Sequence, residues 1–221
     1  MKRFRWLALA TTLAAVLSFC GGNSAPPPPP PAPTPVVAPP PPTPAPATAP
    51  VAQTDPACTC TPTDPVSGDY RHAAKHTDLI VIPAIETTVA DMLTWPHDTT
   101  PTFDAPRTGR ELQLFHIAKA YLQNIWVVKD DCDLHMELSA TADPTAPRVI
   151  VETPIDASYC PSRMSIAAAM KAKGLSMTWG TVSSIPVEVT GMAFEDYDHV
   201  RGTANVATSW ELHPAIVTIL P

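Results

Sequence analysis

The chain has 221 residues, 45% of them hydrophobic, which is enough for one domain of ordinary size with extensions. Its formal net charge is −7, and this becomes −10 once the three cationic residues of a basic leader are removed. Nucleic-acid binding relies on Lys and Arg to neutralise phosphates, so this excess of acid argues against nucleic acid as a partner.

Residues 1–20 have the layout of a signal peptide, with a basic start followed by an apolar run. The run ends at Phe19, short of the ~20 residues that a membrane-spanning helix needs. Residues 17–20, Leu-Ser-Phe-Cys, resemble the lipobox of bacterial lipoproteins, although Phe19 stands where a small residue is usual. We therefore expect lipidation of Cys20, and a membrane anchor there.

The destination that this leader predicts is the cell envelope. The residue after Cys20 is Gly rather than Asp, which resembles lipoproteins sorted to the outer membrane and facing the periplasm. The alternative is ordinary cleavage after Ala25, which would give a secreted or soluble periplasmic protein.

Residues 21–69 form a Pro-rich tether that has no hydrophobic periodicity. The chain holds 29 prolines against 8 glycines, and residues 26–50 are almost entirely Pro, Ala, Thr and Val. Such a segment adopts the polyproline II form at ~3.1 Å per residue and would span about 80 Å. We expect a semi-rigid spacer between the anchor and a folded domain.

Four cysteines follow the leader: Cys58, Cys60, Cys132 and Cys160. In an oxidising compartment they predict two disulfides, for which three pairings exist. Cys132 lies in an acidic turn and Cys160 just before a helix, so we expect a Cys132–Cys160 bridge. Cys58 and Cys60 would then pair with each other or elsewhere. A Cys-x-Cys metal site would need further thiolates or histidines, so the sequence does not favour it.

Residues 70–110 are expected to form a lead-in rather than a domain of their own. Thr87 or Thr88 can cap a short helix over residues 89–93, which Trp95-Pro96 ends. Residues 111–221 then form the main domain.

The main domain begins with three predicted strands. A long first strand covers residues 110–128, and its alternation changes phase near Phe115 and near Asn124, as in a bent or bulged strand. Residues 134–138 alternate cleanly, and residues 148–152 form the third strand.

A helix follows, capped by Ser162 and ended by Gly174. Residues 186–194 form the fourth strand, with Gly191 as a candidate bulge. In the fifth strand, residues 210–220, Leu212 and Ile216 are expected on one face and His213 and Val217 on the other.

This order of elements predicts a mainly β domain: a five-stranded OB-fold-like Greek-key barrel (β-β-β-α-β-β) with a short N-terminal helical lead-in. A long curved first strand and a helix between the third and fourth strands are typical of that fold. A β-sandwich is the alternative, but it has no need of a helix at that place.

Four short motifs resemble a group of uncharacterised exported bacterial proteins. The motifs are Asp131-x-Asp133-x-His135, Val151-Glu152-Thr153-Pro154, Val189-Thr190-Gly191-x-Ala193-Phe194-x-Asp196 and Glu211-Leu212-His213-Pro214. The resemblance covers roughly residues 87–220. It implies an OB-like fold and carries no activity with it.

The strongest candidate for chemistry is a polar set on the second and last strands. Its members are Asp131, Asp133, His135, Glu137, Glu211 and His213. Period two places alternate residues of each strand on one face, so two imidazoles and several carboxylates would converge into a site for Zn or Mn. The simpler interpretation is a solvated outer face of an antiparallel strand with ordinary turn residues.

Other chemistries find less support. A staphylococcal-type nuclease would need an Asp-Gly-Asp-Thr segment, and a serine hydrolase a Gly-x-Ser-x-Gly elbow; the sequence has neither. A Cys nucleophile conflicts with cysteines that pair outside the cytoplasm.

The sequence therefore favours an exported, membrane-tethered binding or structural module without a cofactor. The alternative is a metal-dependent hydrolase or a metal-binding protein that uses the polar set. A cell-envelope protein, peptide or glycan is the expected partner. Aromatic residues available for stacking on sugars are Tyr121, Trp126, Trp179, Tyr197 and Trp210.

Overall fold

The computed structural model describes residues 57–61, 70–97, 101–178, 180–197 and 202–221, with only the backbone of residues 181–183. The predicted leader with Cys20 lies outside these residues, as do Trp179 and most of the predicted tether. Within the described part of the chain, no helix has both the length and the apolar character needed to cross a membrane.

Six strands form one sheet, and five of them close into a barrel. The strands are β1 (Ile85–Glu86), β2 (Leu114–Val127), β3 (Leu134–Ser139), β4 (Arg148–Thr153), β5 (Thr181–Glu195) and β6 (Val206–Ile219). Their order is β1-β2-β3-β4-β6-β5, and β2 also pairs with β5. Within the barrel β4 and β6 are parallel and the other pairs are antiparallel. The prediction of a mainly β, five-stranded barrel is confirmed.

The long strand β2 is bulged, and this lets it pair with β3 along one edge and β5 along the other. Its register shifts between Leu122 and Asn124 against both neighbours. The bulge predicted near Asn124 is therefore confirmed. The phase change predicted near Phe115 falls between a 3₁₀ turn (Gly109–Leu112), after which the strand begins at Leu114, and a second register shift against β5 between Ile117 and Ala120.

Apolar side chains from every long strand fill the barrel. The fully buried ones include Ile117, Leu122, Ile125, Leu134, Met136, Leu138, Val149, Val151, Val187, Val189 and Leu212. Helix α1 (His72–Lys75) and helix α2 (Val89–Met92) belong to the lead-in, and α2 begins with a capping box at Thr88. Val89 and Met92 of α2 pack into this core.

Helix α3 (Cys160–Ala172) connects β4 to β5, at the predicted place. It starts earlier than predicted, with a proline in its first turn and no side-chain cap. Ser162 therefore lies inside the helix, where its Oγ accepts from the Val217 N–H. Ile166 and Met170 are fully buried against the barrel. Gly174, at φ 70°, follows the end of the helix as predicted.

The two disulfides join Cys58 to Cys160 and Cys60 to Cys132, with Cα–Cα distances of 5.3 and 5.8 Å. The predicted Cys132–Cys160 bridge is wrong. An extended Cys-x-Cys segment spans roughly 7 Å, so it can lie between the two barrel cysteines and reach both. Arg163 holds the segment as well, because its Nε donates to the Ala57 carbonyl at 2.7 Å.

Candidate functional site

The outward face of β3, β4 and β6 carries a polar cluster that is enclosed rather than solvated. Its side chains belong to Asp133, His135, Glu152, Glu211 and His213, all with 6% or less of their surface exposed. Every residue of β3 and of β4 is buried, on both faces of the sheet. The interpretation of a solvated outer face is therefore wrong for these strands. We call this set of five the polar cluster.

His213 lies at the centre of the polar cluster and is fully buried. Its Nε2 is 3.0 Å from Asp133 Oδ2, and its Nδ1 is 2.9 Å from Glu152 Oε2. Glu211 Oε1 is 3.6 Å from the same Nδ1. One imidazole thus faces three carboxylates.

The two nearest carboxylates are each held through their other oxygen. Asp133 Oδ1 accepts from the Ile155 N–H at 3.0 Å. Glu152 Oε1 lies 2.6 Å from Nδ1 of His135, which is its partner in the β3–β4 register. Each side chain is thereby fixed, and its second oxygen faces His213.

The electrostatics of the pair follow from burial and from these contacts. Burial alone would raise the pKa of Glu152, but the neighbouring imidazoles of His135 and His213 hold it well below its usual value. Burial opposes the charge on His213, yet Asp133, Glu152 and Glu211 raise the pKa of its imidazole well above the usual value. These contacts favour the ionised form of Glu152 and the protonated form of His213 in the absence of other ligands.

The lead-in brings a second imidazole to this place. His76 Nε2 lies 3.7 Å from Asp133 Oδ2, and its Nδ1 is 2.7 Å from Asp156 Oδ2. Sequence reasoning missed His76, because nothing local indicates that the lead-in docks on β6. It also missed Glu152 as a site residue, although Glu152 ends the predicted third strand and an antiparallel register places it beside His135.

Two further predicted site residues have different roles. Asp131 belongs to the turn before β3, where its Oδ1 accepts from the Asp133 N–H at 2.9 Å. Burial, followed by the charges of Asp133 and Glu152, raises the pKa of Asp131 to about 6. His135 stacks on Trp126, with 3.9 Å between ring centroids, and reaches the polar cluster through Glu152.

The structure does not bring Glu137 to His213. Its Oε2 lies 2.6 Å from Arg148 Nη1 and accepts from the Thr203 hydroxyl at 2.7 Å. Its Oε1 accepts from the Thr203 N–H, and a Cβ on Gly202 would come within 2.3 Å of that oxygen. Glu137 therefore anchors the segment before β6, where Gly202 has φ 71° and no room for a side chain.

Two buried arginines lie close to the polar cluster but donate their hydrogen bonds to backbone carbonyls. Arg163 donates to the carbonyls of Ala57 and Thr153. Arg107 donates to the carbonyls of Ala74, Ala193 and His213, among others. Burial is the main cause that lowers the pKa of Arg107, to about 10, so it remains charged at neutral pH.

Two open clefts lie elsewhere on the described surface. One, of about 650 Å³, runs between α1 and the following loop and is lined by Arg71, His72, Phe103, Arg107 and Leu112, among others. Another, of about 520 Å³, is lined by Pro96, Arg110, Glu195 and Trp210, among others. The linings of these two clefts do not include His213 or Asp133.

The candidate sugar-stacking residues do not form one aromatic face. Trp210 packs in the core against Trp95, and its Nε1 donates to the Pro96 carbonyl at 2.9 Å. Trp126 is covered by His135, and Tyr197 packs against Tyr70.

Comparison with known proteins adds nothing to the interpretation of the site, which depends on its geometry alone. The chain matches no protein-family model, no curated protein and no solved structure. The resemblance to exported bacterial proteins therefore stays a prediction.

Proposed function

We propose that the chain is an exported module tethered to the bacterial cell envelope, with a barrel of the OB-fold type. The observation that carries this proposal is the pair of disulfides, Cys58–Cys160 and Cys60–Cys132. Disulfides of this kind persist in oxidising compartments and are rare in the cytosol. They agree with the signal-like leader, the lipobox and the Pro-rich run that precede them in the sequence.

The OB-fold assignment rests on strand order. The barrel strands run β2-β3-β4-β6-β5 and back to β2, with the third and fifth of them in chain order parallel to each other. A helix links the third and fourth. These features support the proposal, because the OB-fold is a five-stranded Greek-key barrel.

A structural or binding role fits the polar cluster better than hydrolysis does. His213 and Asp133 have no exposed surface, so an external substrate has no access to them. OB barrels usually bind ligands across their second and third strands, which are β3 and β4 here. Because both faces of these strands are buried, an envelope protein, peptide or glycan would have to bind elsewhere. The 650 Å³ cleft beside α1 is the candidate place.

The tether is tested by expressing the full chain in a Gram-negative host and labelling it with radioactive palmitate. We expect label and detergent-phase partitioning for the wild-type chain, and neither for Cys20→Ser. Ala25→Gln is the matched control, because it blocks the alternative cleavage site and leaves the lipobox intact. Mature chains beginning at Pro26, without label, would contradict the proposal.

The partner is tested by cross-linking in intact cells, followed by mass spectrometry of the captured species. We expect an envelope protein or a cell-wall glycan peptide that is lost when Leu112→Asp and Phe103→Asp alter the cleft lining. Lys119→Asp, on the distant strand β2, is the control. Capture that is unaffected by the cleft variants would remove the cleft from the proposal.

A further inference from the structure

We propose that Asp133, Glu152 and His213 bind one divalent transition-metal ion, with Zn²⁺ as the best fit, in a structural site that fixes the lead-in to the barrel. These three side chains each offer a donor atom, and the three atoms lie within 4.8 Å of one another. This proposal does not depend on tethering or on a partner.

The spacing of the donors suits a small divalent ion. Zn–N and Zn–O bonds of ~2.0–2.1 Å in a tetrahedron place neighbouring ligand atoms about 3.3 Å apart. His213 Nε2 and Asp133 Oδ2 are 3.0 Å apart, and Asp133 Oδ2 and His76 Nε2 are 3.7 Å apart. These two separations bracket the tetrahedral spacing, so His76 is placed to be the fourth donor.

The surrounding hydrogen bonds are those of a metal site. Metal-binding carboxylates and imidazoles are usually held from behind by a second set of polar groups. Here the Ile155 N–H holds Asp133, and His135 holds Glu152. A metal on His213 Nε2 would leave the Nδ1 of the same ring 3.6 Å from Glu211 Oε1. His76 has the same arrangement, with Asp156 behind its Nδ1.

A second, independent observation concerns three buried atoms. Asp133 Oδ2 and both ring nitrogens of His213 make no hydrogen bond of acceptable geometry within the described part of the chain. Their separations are those of ion pairs, but the geometry is not that of hydrogen bonds. Buried polar atoms nearly always have a partner, so these three atoms indicate a ligand that lies between them.

The charges around His213 also favour a bound metal ion. Asp133 and Glu152 are both buried beside one imidazole, and a buried carboxylate needs a compensating charge. Arg163 interacts with Asp133 through its charge, although its hydrogen bonds, like those of Arg107, go to backbone carbonyls. A doubly charged ion would neutralise the remaining negative charge. Imidazole with carboxylate oxygens suits Zn²⁺, and Mn²⁺ is the next best fit.

The test uses the full chain, purified with its disulfides intact, stripped with EDTA and dialysed against Zn²⁺, or against Mn²⁺ in a parallel sample. Elemental analysis should find one metal ion per chain, and Zn²⁺ should raise the melting temperature. His213→Gln and Asp133→Asn should lose the bound ion and the shift. His116→Gln is the matched control, because His116 also lies between two carboxylates, Glu86 and Glu188, but at the surface.

Two results would overturn the proposal: a wild-type chain that retains less than a tenth of an equivalent, or a His213→Gln chain that binds as tightly as wild type. Should His213→Gln fail to fold, His76→Gln and His135→Gln decide the matter. His76→Gln removes the fourth donor and His135→Gln the group behind Glu152, and an affinity at least about 10-fold weaker is expected for each. Unchanged affinity in both would also count against the site.

Discussion

Arg71 and Glu111, forty positions apart, form a two-pronged ion pair that fastens the lead-in to the start of the barrel. The Nη1–Oε1 and Nη2–Oε2 distances are 2.6 and 2.8 Å, and both side chains are almost fully buried. Arg71 also donates to the carbonyls of Ala105, Pro106 and Glu195. Its guanidinium lies 4.6 Å from the centre of the Phe194 ring. A single side chain thus joins four segments.

We expect Arg71→Met to lower the free energy of unfolding by about 3–5 kcal/mol, because it leaves Glu111 buried without its partner. Urea unfolding followed by tryptophan fluorescence measures the loss. Lys119→Met, at an exposed lysine, is the control and should change the free energy by less than about 0.5 kcal/mol. A loss for Arg71→Met no larger than the control would contradict the assigned role.

The pH dependence of stability should show a contribution from His116, which ties β1 to β2 and β5. Hydrogen bonds to Glu188 and then to Glu86 raise the pKa of His116 above its usual 6.5. The protonated form is therefore favoured in the folded chain. Its stabilisation is complete below pH 6.5 and is lost as the pH rises through the folded pKa.

Unfolding of wild type and His116→Gln between pH 5.5 and 9 checks this effect. The wild type should be the more stable at the acid end, and the difference should shrink as the pH rises. Lys119→Gln on the same strand serves as the control, with a difference that does not vary with pH. A gap that widens toward alkaline pH would show that the sign is wrong.

The disulfide pairing predicts specific peptides under non-reducing conditions. Digestion should release Cys58 linked to Cys160 and Cys60 linked to Cys132, and a peptide linking Cys132 to Cys160 would contradict the structure. The two bridges close chain separations of 102 and 72 residues, so loop entropy makes them nearly equivalent. Replacing either pair by Ser should cost about 4 kcal/mol of unfolding free energy. Cys20→Ser should cost none.

Gly191 allows the close approach of β5 to β6. A Cβ at this position would come within 2.8 Å of Ala215 Cβ and 3.0 Å of Leu212 Cβ. Gly191→Ala should therefore lower the free energy of unfolding by about 1–3 kcal/mol through overpacking. Adding Ala215→Gly should recover part of that loss, because it removes the nearest atom. A double variant less stable than the sum of the two single changes would rule out this explanation.

Local alternation was enough to predict strand β3. Leu134, Met136 and Leu138 point into the barrel, and His135 and Glu137 point out, as period two requires. The last strand was predicted less well. Its Val217 is buried and its Ile216 is 42% exposed, the reverse of the expected faces.

The cause of that reversal is an extra residue on β6 itself, between Leu212 and Ala215. The β5–β6 register shifts between Gly191 and Ala193, so β6 changes phase after Leu212. The bulge predicted at Gly191 is therefore displaced to the facing strand: two steps along β5, from Gly191 to Ala193, oppose three along β6, from Ala215 to Leu212. The place of the extra residue on β6 depends on the pairing with β5, which the sequence of β6 alone does not reveal.

The sequence likewise predicts some residues of the polar cluster and misses others. His135 and His213 follow from period two, and Glu152 could have been found by placing the third strand opposite the second. Glu137 shares a face with His135 but lies two residues, roughly 7 Å, farther along the strand. There it forms an ion pair with Arg148. His76 comes from a lead-in whose docking depends on tertiary contacts alone.

The two disulfides also determine how the domain responds to tension applied on its N-terminal side. Cys58 is bonded to the start of α3 and Cys60 to the turn before β3, so tension applied ahead of Ala57 enters the barrel through covalent bonds. Residues 70–110 follow both cysteines in the chain and lie inside the closed loops. They carry none of that load, and a mechanical force that extends the chain before residue 57 leaves the lead-in seated on the barrel.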